Sequence, residues 1–213
     1  MSIFVDLVSS YAFYGCANLN GPLTFPSNLF EIGDYAFYGC SSLNGALHLG
    51  FGLRRVGAYA FYQCPKLTGL LRIWYRKFEK YSEYENGGYY YDYYTCRICD
   101  YAFYGCSKFT GDLLLFNVSY IGKFAFYRWG FTGSLTVPIS IIDDYAFYGC
   151  SGFKGPLSFD DSNLWTELKY DYTIGKSTFY NCAGFNGTLI IPPEYQVIGD
   201  YAFCGGSGFN SYL

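Results

Sequence analysis

Gly33-Asp34-Tyr35-Ala36-Phe37-Tyr38-Gly39-Cys40 decides the fold, because its last six residues are spelled again in full at 11–16, 101–106 and 145–150. Altered forms stand at 59–64, 124–129, 177–182 and 201–206, so 213 residues carry eight copies. Self-similarity at a period of about 20–50 residues marks a stacked-repeat chain, in which each unit buries its apolar side only against its neighbours. The expectation is therefore one elongated domain over residues 1–213, eight repeats long with uncapped ends.

The most regular unit runs over 21–44. Its Leu23-Thr24-Phe25 alternates apolar, polar and apolar and is closed by Pro26, which predicts a short strand with one buried face. Equivalent triplets at 47–49, 71–73, 113–115, 135–137, 157–159 and 189–191 predict seven parallel strands in one sheet, about 4.8 Å apart. Asp34 is placed to accept a backbone bond as an N-cap and Gly39 to end a single helical turn. On such a turn Ala36, Phe37 and Cys40 face inward while Tyr35 and Tyr38 face out. Leu19, Leu43 and Leu67, then Phe109, Phe131, Phe153, Phe185 and Phe209, recur further on and complete the interior. The predicted fold class is an α/β repeat solenoid, with a parallel sheet on one side and short helical turns on the other.

Six of the nine cysteines, Cys16, Cys40, Cys64, Cys106, Cys150 and Cys182, occupy one place in their repeats. That regularity reads as a packing position rather than a disulfide framework.

At 51% hydrophobic, 23% aromatic and 15% charged residues the chain is rich in core-forming side chains and is expected to fold. A net charge of −3 with no run of Lys or Arg longer than two argues against nucleic acid as a partner. No apolar run approaches the roughly 20 residues a membrane-spanning helix needs. Met1-Ser2-Ile3-Phe4-Val5-Asp6 meets an acid before any apolar export region can form, so no signal peptide is visible. Cys96-Arg97-Ile98-Cys99 has the spacing of half a zinc site but no second pair, and no metal or other cofactor is expected. His48, the only histidine, has Thr24 and Arg72 on the neighbouring rungs instead of an acid, which leaves a hydrolase triad without its parts. An enzyme is not expected.

The pattern Leu-x-(Ile/Phe)-Pro, a loop, then Ile-Gly-Asp-x-Ala-Phe-x-x-Cys-x-x-(Leu/Phe) resembles the BspA-like leucine-rich repeats, as at 32–40 and 198–203. The resemblance covers nearly the whole chain. It implies a right-handed curved solenoid with a concave parallel sheet, used for adhesion and recognition in proteins displayed at cell surfaces, and it implies no catalysis. Departures include Trp129 at a Cys position, Cys99 at the Gly position before Asp100, and Cys204 at the second Tyr position.

Motif starts are separated by 24, 24, 42, 23, 21, 32 and 24 residues, so two coils carry extensions, at 74–97 and 160–173. The first holds Asn86-Gly87-Gly88 between Tyr-rich arms, a hairpin signal. Both leave the same flank. Two sets of residues are candidates for ligand contact. One is the outward strand row Thr24, His48, Arg72, Leu114, Thr136, Ser158 and Ile190, on the face that solenoids use for binding. The other is the insertion tyrosines Tyr81, Tyr84, Tyr89, Tyr90, Tyr91, Tyr93 and Tyr94, which supply contact area at low entropic cost. Two functions compete. The first is a surface antigen that adheres to protein ligands, host or extracellular-matrix proteins among them. The second is an intracellular, cytoplasmic scaffold or self-associating fragment of a longer repeat protein, with reduced thiols and end-to-end contacts.

Overall fold

The hexad Tyr-Ala-Phe-Tyr-Gly-Cys does not wind into a helix. In the computed structural model, which describes residues 5–50, 52–73, 95–116, 118–160 and 171–210, no described residue is helical. The chain is instead a parallel β-solenoid of about seven turns. We number coils one to eight by their motif copies.

The reason lies in where the amides must go. The first motif residue is left-handed in every coil, with φ between 52° and 62° from Tyr11 to Tyr201. A second left-handed residue follows at the Gly position, Gly39 in coil two and Gln63 in coil three. Between them Ala36, Tyr38 and Cys40 donate within the turn to residues three back, at 3.2–3.3 Å. Tyr35, Phe37 and Gly39 instead donate along the solenoid axis to the carbonyls of Ala58, Ala60 and Tyr62, at 2.8–2.9 Å. A single helical turn would leave its first four amides without an internal acceptor, whereas here the neighbouring coil takes those of Tyr35, Phe37 and Gly39. The left-handed residues each cost roughly 1–2 kcal/mol, which the inter-coil bonds, at about 1 kcal/mol apiece, offset. Gln63 pays this strain with a side chain that glycine lacks. Gln63→Gly is expected to raise stability by about 0.5–1 kcal/mol, measured by urea unfolding, whereas Gly39→Ala, at φ 69°, is expected to lower it.

The Asp expected to cap its own turn reaches the next coil instead. Asp34 Oδ1 accepts the amide of Ala58 at 2.8 Å, Asp100 Oδ1 that of Lys123 at 2.9 Å, and Asp144 Oδ1 that of Lys176 at 2.8 Å. Each carboxylate therefore clips one coil to the next.

The continuous sheet lies on the Ile side of the motif, not on the Leu-x-Leu side. It comprises β1 (Leu7–Val8), β3 (Glu31–Ile32), β5 (Arg55–Val56), β8 (Cys96–Ile98), β10 (Val118–Ile121), β12 (Ile141–Ile142), β14 (Tyr172–Ile174) and β15 (Tyr195–Ile198), all parallel. Val8, Ile32, Val56, Ile98, Ile121, Ile142, Ile174 and Ile198 fall in one register. The expected seven-stranded sheet is broken in two. β2 (Leu23–Thr24), β4 (Gly45–His48) and β6 (Leu67–Thr68) form one part, and β7 (Arg72–Ile73), β9 (Leu113–Leu115), β11 (Leu135–Pro138) and β13 (Leu157–Asp160) the other. Residues 189–191 form no strand. The distance from motif to Ile strand is fixed in every coil, so register survives there. The Leu strands start 12 residues after their motif in every coil but the fifth, so their spacing is nearly as constant; the break between β4 and β7 falls where β7 runs directly into the 74–97 extension.

The core is a set of side-chain columns, as the repeat demands. Phe13, Phe37, Phe61, Phe103, Phe126, Phe147, Phe179 and Phe203 stack at 4.9–5.5 Å between ring centroids. Six of the eight are fully buried. Beside them the motif Ala is buried wherever coils enclose it, and small enough to let the next coil approach.

The cysteine position is more than packing. Cys40, Cys64, Cys106, Cys150 and Cys182 each donate Sγ–H to the motif Phe carbonyl of the preceding coil, at 3.0–3.2 Å. Trp129, at the same place in coil five, donates its indole N–H to the Phe103 carbonyl at 2.6 Å. The departure thus keeps the bond.

All nine thiols are free, with Cys16 and Cys204 exposed. Burial pushes the Cys40 thiol from 9.0 up to about 11 and that of Cys64 up to about 12. Two results are expected. Cys16 and Cys204 react with a disulfide reagent in the native protein while Cys64, Cys106 and Cys182 react only on unfolding. Because the folded-state values are raised, the thiol contribution is complete below about pH 9 and disappears as pH climbs through 11–12. Alkaline titration followed by fluorescence checks the second.

Candidate functional site

The outward row stands where the alternation put it. Thr24, His48, Arg72, Ser158 and Ile190 are exposed, and Leu114 and Thr136 half-exposed, while the residues on either side pack inward. Register places Thr24 beside His48, and Arg72, Leu114, Thr136 and Ser158 in succession. Thr136 and Ser158 hydroxyls lie 3.2 Å apart and share a hydrogen bond. The row is therefore two runs rather than one.

Between the runs lies the largest irregularity of the face. β4 pairs with β2 and β6 but not with β7, so the sheet opens between His48 and Arg72. A cleft of about 720 Å³ occupies this opening, lined by Phe25, Leu47, His48, Leu49, Leu70 and Arg72 among others. Its walls are mostly apolar, and Leu70 projects at its edge with 42% of its surface exposed. Clefts of a few hundred Å³ with apolar walls and a few polar groups are the usual form of binding sites. Asp112, within the electrostatic reach of Arg72, accepts the Ser134 amide at 2.7 Å and hydroxyl at 2.8 Å. Those bonds, with Arg72 adding attraction, hold its carboxyl below the usual carboxylate range.

A second polar surface lies on the continuous sheet, and the sequence reading missed it. Glu31, Arg55, Arg97 and Tyr120 succeed one another in register. Arg55 bridges Glu31 at 2.8 Å and also pairs with Asp34. The Arg97 guanidinium sits 4.4 Å from the centre of the Tyr120 ring. The Tyr120 hydroxyl lies 3.1 Å from Asp143 and 3.3 Å from Asp100. Burial, then these two carboxylates, push the phenol above its ordinary value and keep it a donor. The residue before each motif Ile or Val was the available signal, since it alternates with that buried residue.

The motif tyrosines form two further columns. Tyr14, Tyr38, Tyr62, Tyr104, Tyr127, Tyr148 and Tyr180 stack at 4.9–5.4 Å. Tyr11, Tyr35, Tyr59, Tyr101, Phe124 and Tyr145 stack at 4.7–5.0 Å. Inside the stack they are half-buried by one another, so much of their area goes into the scaffold.

The insertion tyrosines, Tyr81 to Tyr94, and the predicted hairpin lie outside the described residues, as does most of the 160–173 extension. Their attachment points are visible: the first extension leaves from β7 and returns at β8, and the second leaves from β13 and returns at β14. Both join the Leu strand to the Ile strand, at the same corner of their coils. Cys96 and Cys99 stand on and just after β8 as free thiols.

A chain whose coils each supply an Ile strand and a turn, and in most coils a Leu strand, around columns of Leu, Ile and Phe is a leucine-rich-repeat solenoid. More narrowly, it belongs to the BspA type leucine rich repeat family, whose model matches residues 6–83 and 92–207 in six copies. Repeats of this family and fold are typically non-enzymatic recognition repeats, and the family is often surface-associated. Among solved structures the chain is similar to the leucine rich repeat protein of T. pallidum, at 24% identity and a TM-score of 0.56, over 85% of this chain and 72% of that one. A leucine-rich repeat protein from Bacteroides ovatus ATCC 8483 is matched at 19% identity and a TM-score of 0.36, over 96% of this chain and 63% of that one. No curated protein matches the chain. No helix among the described residues is long and apolar enough to cross a membrane.

Proposed function

We propose that the chain is a non-enzymatic recognition and adhesion module displayed at a cell surface. It binds protein ligands, host or extracellular-matrix proteins among them, through the outward row and the flank that carries the 74–97 and 160–173 extensions. The observation that carries this reading is the cleft where the Leu-strand sheet opens, which sets His48 and Arg72 over apolar walls between the second and third rungs of the predicted face. A polar pair on an apolar floor suits an extended segment of a partner protein bearing a carboxylate.

The test is binding of purified extracellular-matrix proteins to the immobilised chain. Saturable binding is expected, weakened about tenfold by His48→Glu with Arg72→Glu, and weakened further by deletion of residues 79–94. Absence of saturable binding to any of them, or affinity unchanged by both alterations, would overturn the reading.

The second reading, an intracellular scaffold, is favoured by the nine free thiols. Protease treatment of intact source cells separates the two: cleavage of the chain supports surface display, and full protection supports the scaffold.

A further inference from the structure

Charge is sorted around the coil. The stretch from the motif to the Leu strand, residues 59–70, 101–112, 124–134 and 145–156 in coils three to six, carries Lys66, Lys108, Arg128 and Lys154. The one acid on this stretch in any of the eight coils is Asp112, whose carboxylate is already held by the Ser134 amide and hydroxyl. All the other acids of a chain with net charge −3 lie elsewhere in the repeat or its extensions. Those among them that meet a cation do so on the Ile side, where Arg55 pairs with Glu31 and Asp34, and Lys123 with Asp143 and Asp144. Lys66, Lys108, Arg128 and Lys154 are exposed, and among the described residues none of the four has an ion pair. Their coils lie inside the stack, with a neighbouring coil on either side.

Arg128 is the residue that the fold itself explains least. It stands at the fifth motif position, which is left-handed in all eight coils and glycine in five of them. At φ 53° its side chain adds to the cost of that conformation. The guanidinium is met by the Tyr127 ring, 5.3 Å away, and by no carboxylate among the described residues. Its stem lies over Gly149 of the next coil, where a Cβ would come 3.0 Å from the Arg128 Cγ, so glycine there leaves it room. Beside the stem a cleft of about 390 Å³ opens, lined by Arg128, Tyr148, Gly149, Ser151, Asn181 and Ala183. The Ser151 hydroxyl and the Asn181 side-chain amide make no hydrogen bond among the described residues. The cleft is thus a set of donors with no acceptor opposite them.

We propose that this corner of coils three to six docks an acidic segment of a partner protein, with one carboxylate seated in the Arg128 cleft. Charge complementarity carries the assignment. A guanidinium presents paired donors to a carboxylate, and Ser151 and Asn181 offer hydrogen bonds to the backbone beside it. Lys66, Lys108 and Lys154 stand on the same stretch of coils three, four and six, a span of three coil steps or about 14 Å, which an extended segment of about five residues covers. Among the described residues of coils four to six no large apolar side chain is exposed, so the surface has nothing to sink into a bilayer. It shares no residue with the outward row from Thr24 to Ile190 and binds independently of it.

The test uses the full chain and a hexaglutamate peptide carrying a fluorophore, followed by anisotropy at low salt. Saturable binding is expected, absent with hexaglutamine, falling as salt is added and weakened about tenfold by Arg128→Gly. Because glycine relieves the left-handed strain, Arg128→Gly is expected to unfold in urea no earlier than the unaltered chain, which separates loss of binding from loss of fold. Lys66→Gln with Lys108→Gln is expected to weaken binding as well, and should Arg128→Gly be less stable this pair decides by the same criterion. Lys176→Gln, which removes a positive charge outside the surface, is expected to leave binding unchanged. A peptide that does not bind, equal weakening by Arg128→Gly and Lys176→Gln, or tighter binding of heparin or phosphatidylserine vesicles through the same residues would overturn the proposal.

Discussion

Phe147→Ala is expected to cost about 4 kcal/mol, measured by urea unfolding. The ring is fully buried, stacked 5.0 Å from Phe126 and 5.3 Å from Phe179, so its removal opens a void between two coils as well as within its own. The backbone around it keeps its bonds to coils five and seven, and nothing polar is stranded. In a globular domain such a loss lowers one cooperative transition. In a stack of nearest-neighbour contacts it weakens two adjacent interfaces and leaves the others untouched. Hydrogen exchange is therefore expected to rise first in coils six to eight, while coils two to four exchange at their original rates. Uniform acceleration along the chain would refute that one-dimensional behaviour.

The second large effect is expected at Trp129. Its indole lies 4.8 Å from the Phe109 ring, in a stacked arrangement, and 4.9 Å from Phe126, edge on, while its N–H holds the Phe103 carbonyl. Trp129→Ala removes the rings' neighbour and the donor together, and is expected to cost about 4–5 kcal/mol. Trp129→Phe keeps most of the volume and loses only the donor. The Phe103 carbonyl still accepts the Cys106 amide at 3.2 Å, so the expected loss is about 1 kcal/mol. Trp129→Cys restores the residue of the other coils but not the volume, and should fall between the two. Equal losses for the Phe and Ala variants would mean that the hydrogen bond, not the packing, dominates.

The repeat, its columns and its inward residues were legible because a column needs only one residue type at one place. Ala36, Phe37 and Cys40 are buried as the periodicity required. The helical turn was misread because Asp before an apolar run and Gly after it are equally good signals for a turn with two left-handed residues. Nothing in a single copy says that Tyr35 sits at φ 57°. The choice of continuous sheet was also hidden. Leu23-Thr24-Phe25 alternates more plainly than Glu31-Ile32, and both stand at nearly constant distances from the motif, so neither alternation nor spacing says which sheet runs unbroken. Of the candidate site, the exposure of the outward row followed from period two. The cleft between His48 and Arg72 did not, since it arises from a pairing that fails and not from any residue type.

The forward-pointing amides carry one more consequence. In a parallel sheet successive peptide dipoles alternate across the strand and largely cancel, but three motif amides in coils one to three and five to seven, and two in coil four, point forward along the solenoid, against one per junction, that of Gly33 and its counterparts, that points back. Their sum gives the molecule an electrical polarity, negative at the carbonyls of coil one and positive at the amides of coil eight, that grows with each coil.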